Sequence, residues 1–301
     1  MSHHAQLNSG FTLIELVTVI IILGVVSVGI SGFVRTGMNI YNDVTERDQL
    51  LSGSRFVVER INRELRTAVP NSIRIKTDNT DPDNIVQCLE FVPTKWVAYY
   101  TNIPVFPDLP ATRTSASVVE LSASANLFPL QGNEFAIVYP TSWEDIYGPI
   151  DTTSHDENKR LVIRTCTDTN ANCSDSDGPP YLATLTLSRD GNEDLTAFAD
   201  DSPASRLYIV STPVSYCARN KAIYRHNVTS DNTTIGLTQT VYTSGGVLMA
   251  ENLANTVSAV SPFYVVNPTL NRNGLVHILL AFARNEEIVN FSNEVHIPNV
   301  P

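Results

Sequence analysis

The chain has 301 residues, 43% of them hydrophobic and only 17% charged. That balance excludes a charge-rich disordered chain and leaves ample length to bury one large core or two ordinary ones. The formal net charge is −11, and residues 1–69 hold six Arg against six acids, so the whole excess lies beyond Pro70; an acidic body of this kind repels phosphate and argues against nucleic-acid binding through a broad basic patch.

The chain opens with a polar decapeptide, MSHHAQLNSG, followed by 24 residues from Phe11 to Val34 in which Glu15 is the single charge. As a helix that run is about 36 Å long, enough to cross a hydrocarbon core of roughly 30 Å. A cleaved secretory signal would carry a basic n-region, a shorter apolar stretch and a small-residue site after it. Here the small residue, Gly10, precedes the apolar run, so a cut after it removes only the decapeptide and leaves the anchor on the chain. A carboxylate within a bilayer costs about 2.5–3.5 kcal/mol, which calls for a partner for Glu15. The new α-amino group of Phe11, one helical turn away, is one, and the amine of a neighbouring subunit is another.

Beyond Val34 the pattern turns amphipathic, with Val44, Leu51, Val58 and Leu65 at heptad spacing beside Ile40, Val57 and Ile61. Asp43/Arg47, Glu59/Arg63 and Arg60/Glu64 stand at i,i+4 and read as pairs on the wet side. Pro70 disfavours helix at Val69, so one helix is expected from about Thr12 to Ala68. Gly24, Gly29, Gly32 and Gly37 lower its propensity and also permit close helix packing.

Past Pro70 the apolar runs are short, β-branched and aromatic: 86–92, 96–100, 135–139, 161–165, 181–187, 207–210, 214–217, 275–283 and 287–297. These predict strands. Ala218-Arg219-Asn220-Lys221 and Arg284-Asn285-Glu286 read as hairpin turns. The fold class expected is α+β: a long N-terminal helix, its first half membrane-spanning, packed on a globular head of antiparallel β-sheet.

Four cysteines, at 88, 166, 173 and 217, include no C-x-x-C pair and allow three disulfide connectivities. Cys166 to Cys173 would close a short polar loop and leave Cys88 to pair with Cys217, which is the arrangement we favour; it needs an oxidising compartment. The loop around Cys173 gathers the hard oxygen donors Asp168, Asn170, Asp175 and Asp177, candidate calcium ligands, although Cys173 and Pro179 break the EF-hand pattern. Asp190, Asn192, Glu193 and Asp194 form a second acidic group. No phosphate-loop, zinc-helix, nucleophile-elbow or dinucleotide motif occurs, His155, His226, His277 and His296 are isolated in sequence, and His3 and His4 leave with the decapeptide, so no enzyme and no cofactor is expected.

The run Gly10-Phe11-Thr12-Leu13-Ile14-Glu15-Leu16-Val17 resembles the prepilin peptidase site of type IV pilins and pseudopilins. The resemblance implies cleavage after Gly10, N-methylation of Phe11, and a role for Glu15 in docking into a growing filament. It gives a leader at 1–10, a transmembrane and assembly helix at 11–69, and a periplasmic β-rich head at 70–301, held in the bacterial inner membrane by one pass. The partners implied are prepilin peptidase, other major and minor pilins, the inner-membrane assembly platform and the lipid bilayer. Two features depart from the family: the leader has no Lys or Arg, and Gly32 stands where many major pilins have a Pro. The stretch 49–69, the run Cys88 to Pro93 and the ending Glu294 to Pro301 resemble MshO-type minor pilins of the mannose-sensitive haemagglutinin (MSHA) pilus, and the arrangement is also similar to the J-type minor pseudopilin of type II secretion. A non-catalytic minor pilin that starts or caps a filament is the leading expectation, with a secretion pseudopilin and a pilus-tip adhesin as alternatives.

Overall fold

The computed structural model describes residues 12–81, 84–107, 114–119, 134–148, 159–167, 182–188, 197–228, 235, 238–255, 257, 260–266, 273–285 and 287–297. The chain divides into two compact units, Met1–Leu51 and Ser52–Pro301. In the first unit the backbone is helical from Leu13 onward, the start of α1 (Leu13–Leu65). Its apolar stretch reaches a mean hydropathy of 2.7 over 18 residues with none of them buried. The helix runs unbroken through Gly24, Gly29, Gly32 and Gly37.

In the second unit, the end of α1 buries Ser54, Val57, Val58, Ile61 and Leu65, the i, i+3, i+4 set of one face. Of the expected heptad, Val58 and Leu65 are buried, whereas Val44 is 63% exposed and Ile40 is exposed as well. The helix stops at Leu65, three residues before the expected end. The backbone there leaves the helix to pair with an extended neighbour: Ala68 bridges Pro93, the Val69 N–H donates to the Val92 carbonyl at 2.9 Å, and the Thr94 N–H donates to the Thr67 carbonyl at 2.8 Å.

Among the described residues the head contains three β systems. The first is a five-stranded antiparallel sheet in the order β1 (Arg74–Asp78), β2 (Val86–Phe91), β9 (Val214–Arg219), β10 (Ala222–Asn227), β11 (Val247–Glu251). A closed six-stranded barrel is the second, built from β3 (Thr94–Asn102), β4 (Ser115–Val119), β7 (Leu182–Ser188), β6 (Arg160–Thr167), β5 (Phe135–Val138) and β8 (Arg206–Val210). The third is a meander of β12 (Phe263–Val266), β13 (Gly274–Arg284) and β14 (Glu287–Ile297). A short helix, α2 (Glu144–Tyr147), follows β5.

The barrel strands alternate as a pleat demands. Ala136 and Val138, Leu161 and Ile163, Leu207 and Ile209 point into the barrel core. Their neighbours Phe135, Ile137, Val162, Tyr208 and Val210 form a second core outside it, with Val69, Val92 and the α2 residues Ile146 and Tyr147. Small side chains at Ala98, Ala116, Ala136 and Ala183 fit the narrow interior of a small barrel.

Connectivity places this barrel. Phe91 at the end of β2 lies opposite Val214 at the start of β9, so every barrel strand is inserted between two strands that are themselves hydrogen-bonded neighbours. The β9–β10 hairpin turns on Asn220 and Lys221, both at positive φ (49° and 56°), the two-residue turn that suits strand twist. Ala218 and Arg219 belong to the strand rather than the turn. Residues 252–255 tie the first sheet to the meander: the Leu253 N–H donates to Lys221 and the Ala254 N–H to Ala281, while the Asn255 side chain accepts from the Ala281 N–H at 2.7 Å and donates to the Leu279 carbonyl at 2.9 Å.

Candidate functional site

Gly10 and Phe11 lie outside the described residues; Glu15 is in the first turn of α1. Thr12 precedes the helix, and its Oγ1 accepts from the Glu15 N–H at 3.4 Å while its carbonyl accepts from Glu15 and Leu16 at 3.1 and 3.2 Å. Thr12 is therefore the N-cap and Glu15 the third helical residue, the S/T-x-x-E spacing of a capping box. The unpaired N–H groups of a first turn carry partial positive charge that favours a carboxylate by about 0.3–1 kcal/mol. Glu15 thus has helix-borne stabilisation before any amine approaches it. The Thr12-x-x-Glu15 spacing is legible in the sequence, and reading those residues only as part of an apolar run misses it.

Three hydroxyls of this part of the helix are satisfied by its own carbonyls. The Thr18 hydroxyl donates to the Glu15 carbonyl at 2.9 Å, Ser31 to Ser27 at 2.8 Å and Thr36 to Gly32 at 3.1 Å, as hydrocarbon requires. A Cβ built on Gly24, Gly29, Gly32 or Gly37 meets nothing within 4 Å, so the backbone at all four is open to close approach.

In the head, Glu64 is the residue the sequence misplaces. Read as half of a wet-side pair with Arg60, it has a side chain only 13% exposed. It accepts from the Arg60 Nε, from the Tyr216 hydroxyl at 2.9 Å on β9 and from the Arg225 Nε at 3.1 Å on β10. Burial pushes its carboxyl up, but the three hydrogen bonds outweigh burial and hold it below its ordinary value. The Tyr216 phenol is pushed far up by burial and by Glu64, so it stays a donor. The last turn of α1 is thereby fastened to two adjacent strands through one carboxylate.

A second buried pair lies on the same sheet. Arg74 on β1 donates to Glu90 on β2 through Nη2 at 2.6 Å and Nε at 3.0 Å, and its guanidinium stacks 3.6 Å from the centre of the Tyr147 ring. Glu90 is fully buried, and burial raises its carboxyl despite the opposing pull of Arg74.

Cys88 and Cys217 face each other across β2 and β9 and are joined by a disulfide. Val241 and Tyr242 pack over it, and that segment is tied down by the Gln239 amide donating to the Cys88 carbonyl at 3.0 Å and by Lys76 donating to the Gln239 carbonyl at 2.9 Å. Cys166 is also oxidised; Cys173 lies outside the described residues. So do the calcium candidates Asp168, Asn170, Asp175 and Asp177, the second acidic group, and His155. Among the described residues no group of three His, Cys, Asp or Glu side chains is placed to hold a metal. His226 is buried and stacked on Tyr242 at 4.2 Å, and His277 contacts Glu294 at 2.6 Å.

Residues 6–31 match a family model described as the prokaryotic N-terminal methylation motif. No curated protein and no solved structure matches the chain. The match supports a type IV pilin-like chain, and with it processing by prepilin peptidase and assembly with other pilins.

Proposed function

We propose that this chain is a non-catalytic minor pilin of an MSHA-like type IV pilus, made with the leader 1–10 and anchored by residues 11–69 in the inner membrane with its head, 70–301, in the periplasm. There it helps to start or cap a filament used for surface attachment. The observation that carries this reading is the methylation motif at residues 6–31, continued by an exposed apolar helix with Glu15 capped into its first turn. Cleavage after Gly10 would expose the Phe11 amine next to that turn. A neighbouring subunit docking along the glycine positions would bring its own Phe11 amine to Glu15 or accept this one, so the anchor doubles as the assembly surface. The barrel inserted between β2 and β9 supports minor status, because a major subunit must pack in very many copies and a bulky head suits a filament end.

Mass spectrometry of the chain from its native membrane should find N-methyl-Phe11 at the terminus; an intact Met1, or a cut downstream of Phe11, would sink the pilin reading. Glu15→Val should be cleaved normally and fail to enter filaments, and normal incorporation would leave Glu15 without an assembly role. The same barrel insertion also suits the tip of a secretion pseudopilus, in the manner of a J-type pseudopilin. Deletion separates the two: loss of piliation with intact secretion supports the pilus, and the reverse supports the pseudopilus.

A further inference from the structure

Where α1 ends, the chain forms a cavity of about 430 Å³ between residues 66–70 and the strands β3 and β8, lined by Arg66, Lys95, Trp96, Arg206 and Tyr208 among others. Among the described residues no acidic side chain lines it, in a chain of net charge −11. Lys95 is committed to the buried Glu134 at 2.8 Å. The other two cations are differently placed. The Arg66 side chain is exposed and has no acidic partner among the described residues, and Arg206 is hydrogen-bonded to the Tyr208 phenol, a neutral group. Trp96 is 37% exposed and lines the same cavity as the two arginines.

The frame is fixed. Backbone bonds from Thr94 to Thr67 and from Val69 to Val92 hold the two walls together, and β3 pairs with β8 over Thr94↔Val210 to Tyr99↔Arg206. Arg66 near a helix C-terminus is favoured by the helix dipole alone, but the dipole gives no reason for Arg206 on a strand or for a partly exposed Trp96 in the same cavity. A cavity of this size is within the range of small-ligand sites. Guanidinium groups recognise carboxylates with directional, charge-assisted hydrogen bonds, and an indole face offers an apolar platform for a flat ligand surface.

We propose that this cavity binds a carboxylated sugar, a uronic acid or sialic acid type of pyranose whose carboxylate is taken by Arg66 and Arg206 and whose apolar face rests on Trp96. The site is independent of whether the chain belongs to a pilus or a pseudopilus. Trp96 and Trp143 are the only tryptophans, so the full-length protein carrying Trp143→Phe, in detergent micelles, reports on Trp96 by its own fluorescence. Titration with digalacturonate should give a saturable change. Neutral galactobiose should give none, and Arg206→Gln or Arg66→Gln should each weaken the response at least tenfold without altering the circular dichroism. No saturable response to digalacturonate or N-acetylneuraminate would overturn the proposal, as would equal binding of the neutral sugar. An undiminished response in both arginine variants, or inorganic phosphate competing as tightly as the sugar acids, would also overturn it.

Discussion

Glu64 and Glu90 are both buried carboxylates beside arginines, yet their environments push them in opposite directions. Glu64 has three donors that outweigh its burial, and its carboxyl titrates below the ordinary 4.5. The folded state therefore binds that proton less readily than the unfolded state, so the stability Glu64 contributes is intact above about pH 4.5 and is lost as pH falls through its folded value. Glu90 is raised by burial beyond what Arg74 restores, so its contribution is intact below the ordinary value and lost as pH rises through the folded one. Glu64→Gln should accordingly cost about 2 kcal/mol at pH 7, the scale of a hydrogen-bonded charge, with the cost shrinking toward pH 3.5. The difference between wild type and Glu90→Gln should move the other way over the same range. Urea unfolding of the detergent-solubilised chain at several pH values measures both slopes, and parallel slopes would contradict this assignment. At Gly246 the physics is steric: φ is +84° and a Cβ would sit 2.5 Å from the His226 ring, which is itself held against Tyr242. Gly246→Ala should destabilise by about 2 kcal/mol or more, one part backbone strain and one part displaced ring.

Along α1 the same type of side chain has two different fates. Ile61 is fully buried and Val44 is mostly exposed, although both stand in the amphipathic pattern. Ile61→Ala should cost about 2–5 kcal/mol in the isolated chain, as large-to-small core changes do, while Val44→Ala should stay within about 0.5 kcal/mol; equal losses in urea midpoints would refute this division of the helix. Sequence periodicity placed all these residues on one stripe because it reports amphipathicity and not which partner covers the stripe. The strands were legible where a pleat alternates over many residues, as in β13 and β14, or where both faces are buried, as in β2, β5 and β9. They were missed at the sheet edges, where β1 (RIKTD) is charged and β11 and β12 are short, and at the barrel strand β4 (SASVV), whose Ser and Ala carry little strand signal, since pairing there comes from a neighbour and not from the strand's own pattern. Glu15 was legible as a lone charge in an apolar run. Glu64 was not, because an i,i+4 Arg–Glu pair looks the same whether the helix face meets water or a tyrosine and a second arginine on strands some 150 residues later.

At the scale of the whole head, the insertion of the barrel between β2 and β9 sets a topological problem. The two strands must pair across everything the barrel contains, and the cysteines that join them are 129 residues apart. Closing so long a loop is entropically costly, and a cross-link removes most of that cost from the unfolded state. Cys88 and Cys217 are fully buried, with Val241 and Tyr242 over them and Gln239 bonded to the Cys88 carbonyl. Two consequences follow from that placement. The double variant Cys88→Ala/Cys217→Ala should lose about 2–4 kcal/mol, read as a lower urea midpoint. In the wild type, reduction of this bond by dithiothreitol under native conditions should be slow, because the reductant reaches the sulfurs only when the 238–246 segment lifts. Gln239→Ala removes one tie of that segment and should speed the reduction several-fold, as followed by alkylation and peptide mapping of Cys88 and Cys217. An unchanged rate would mean that access to the bond is governed by opening of β2 from β9 and not by the segment that lies over them.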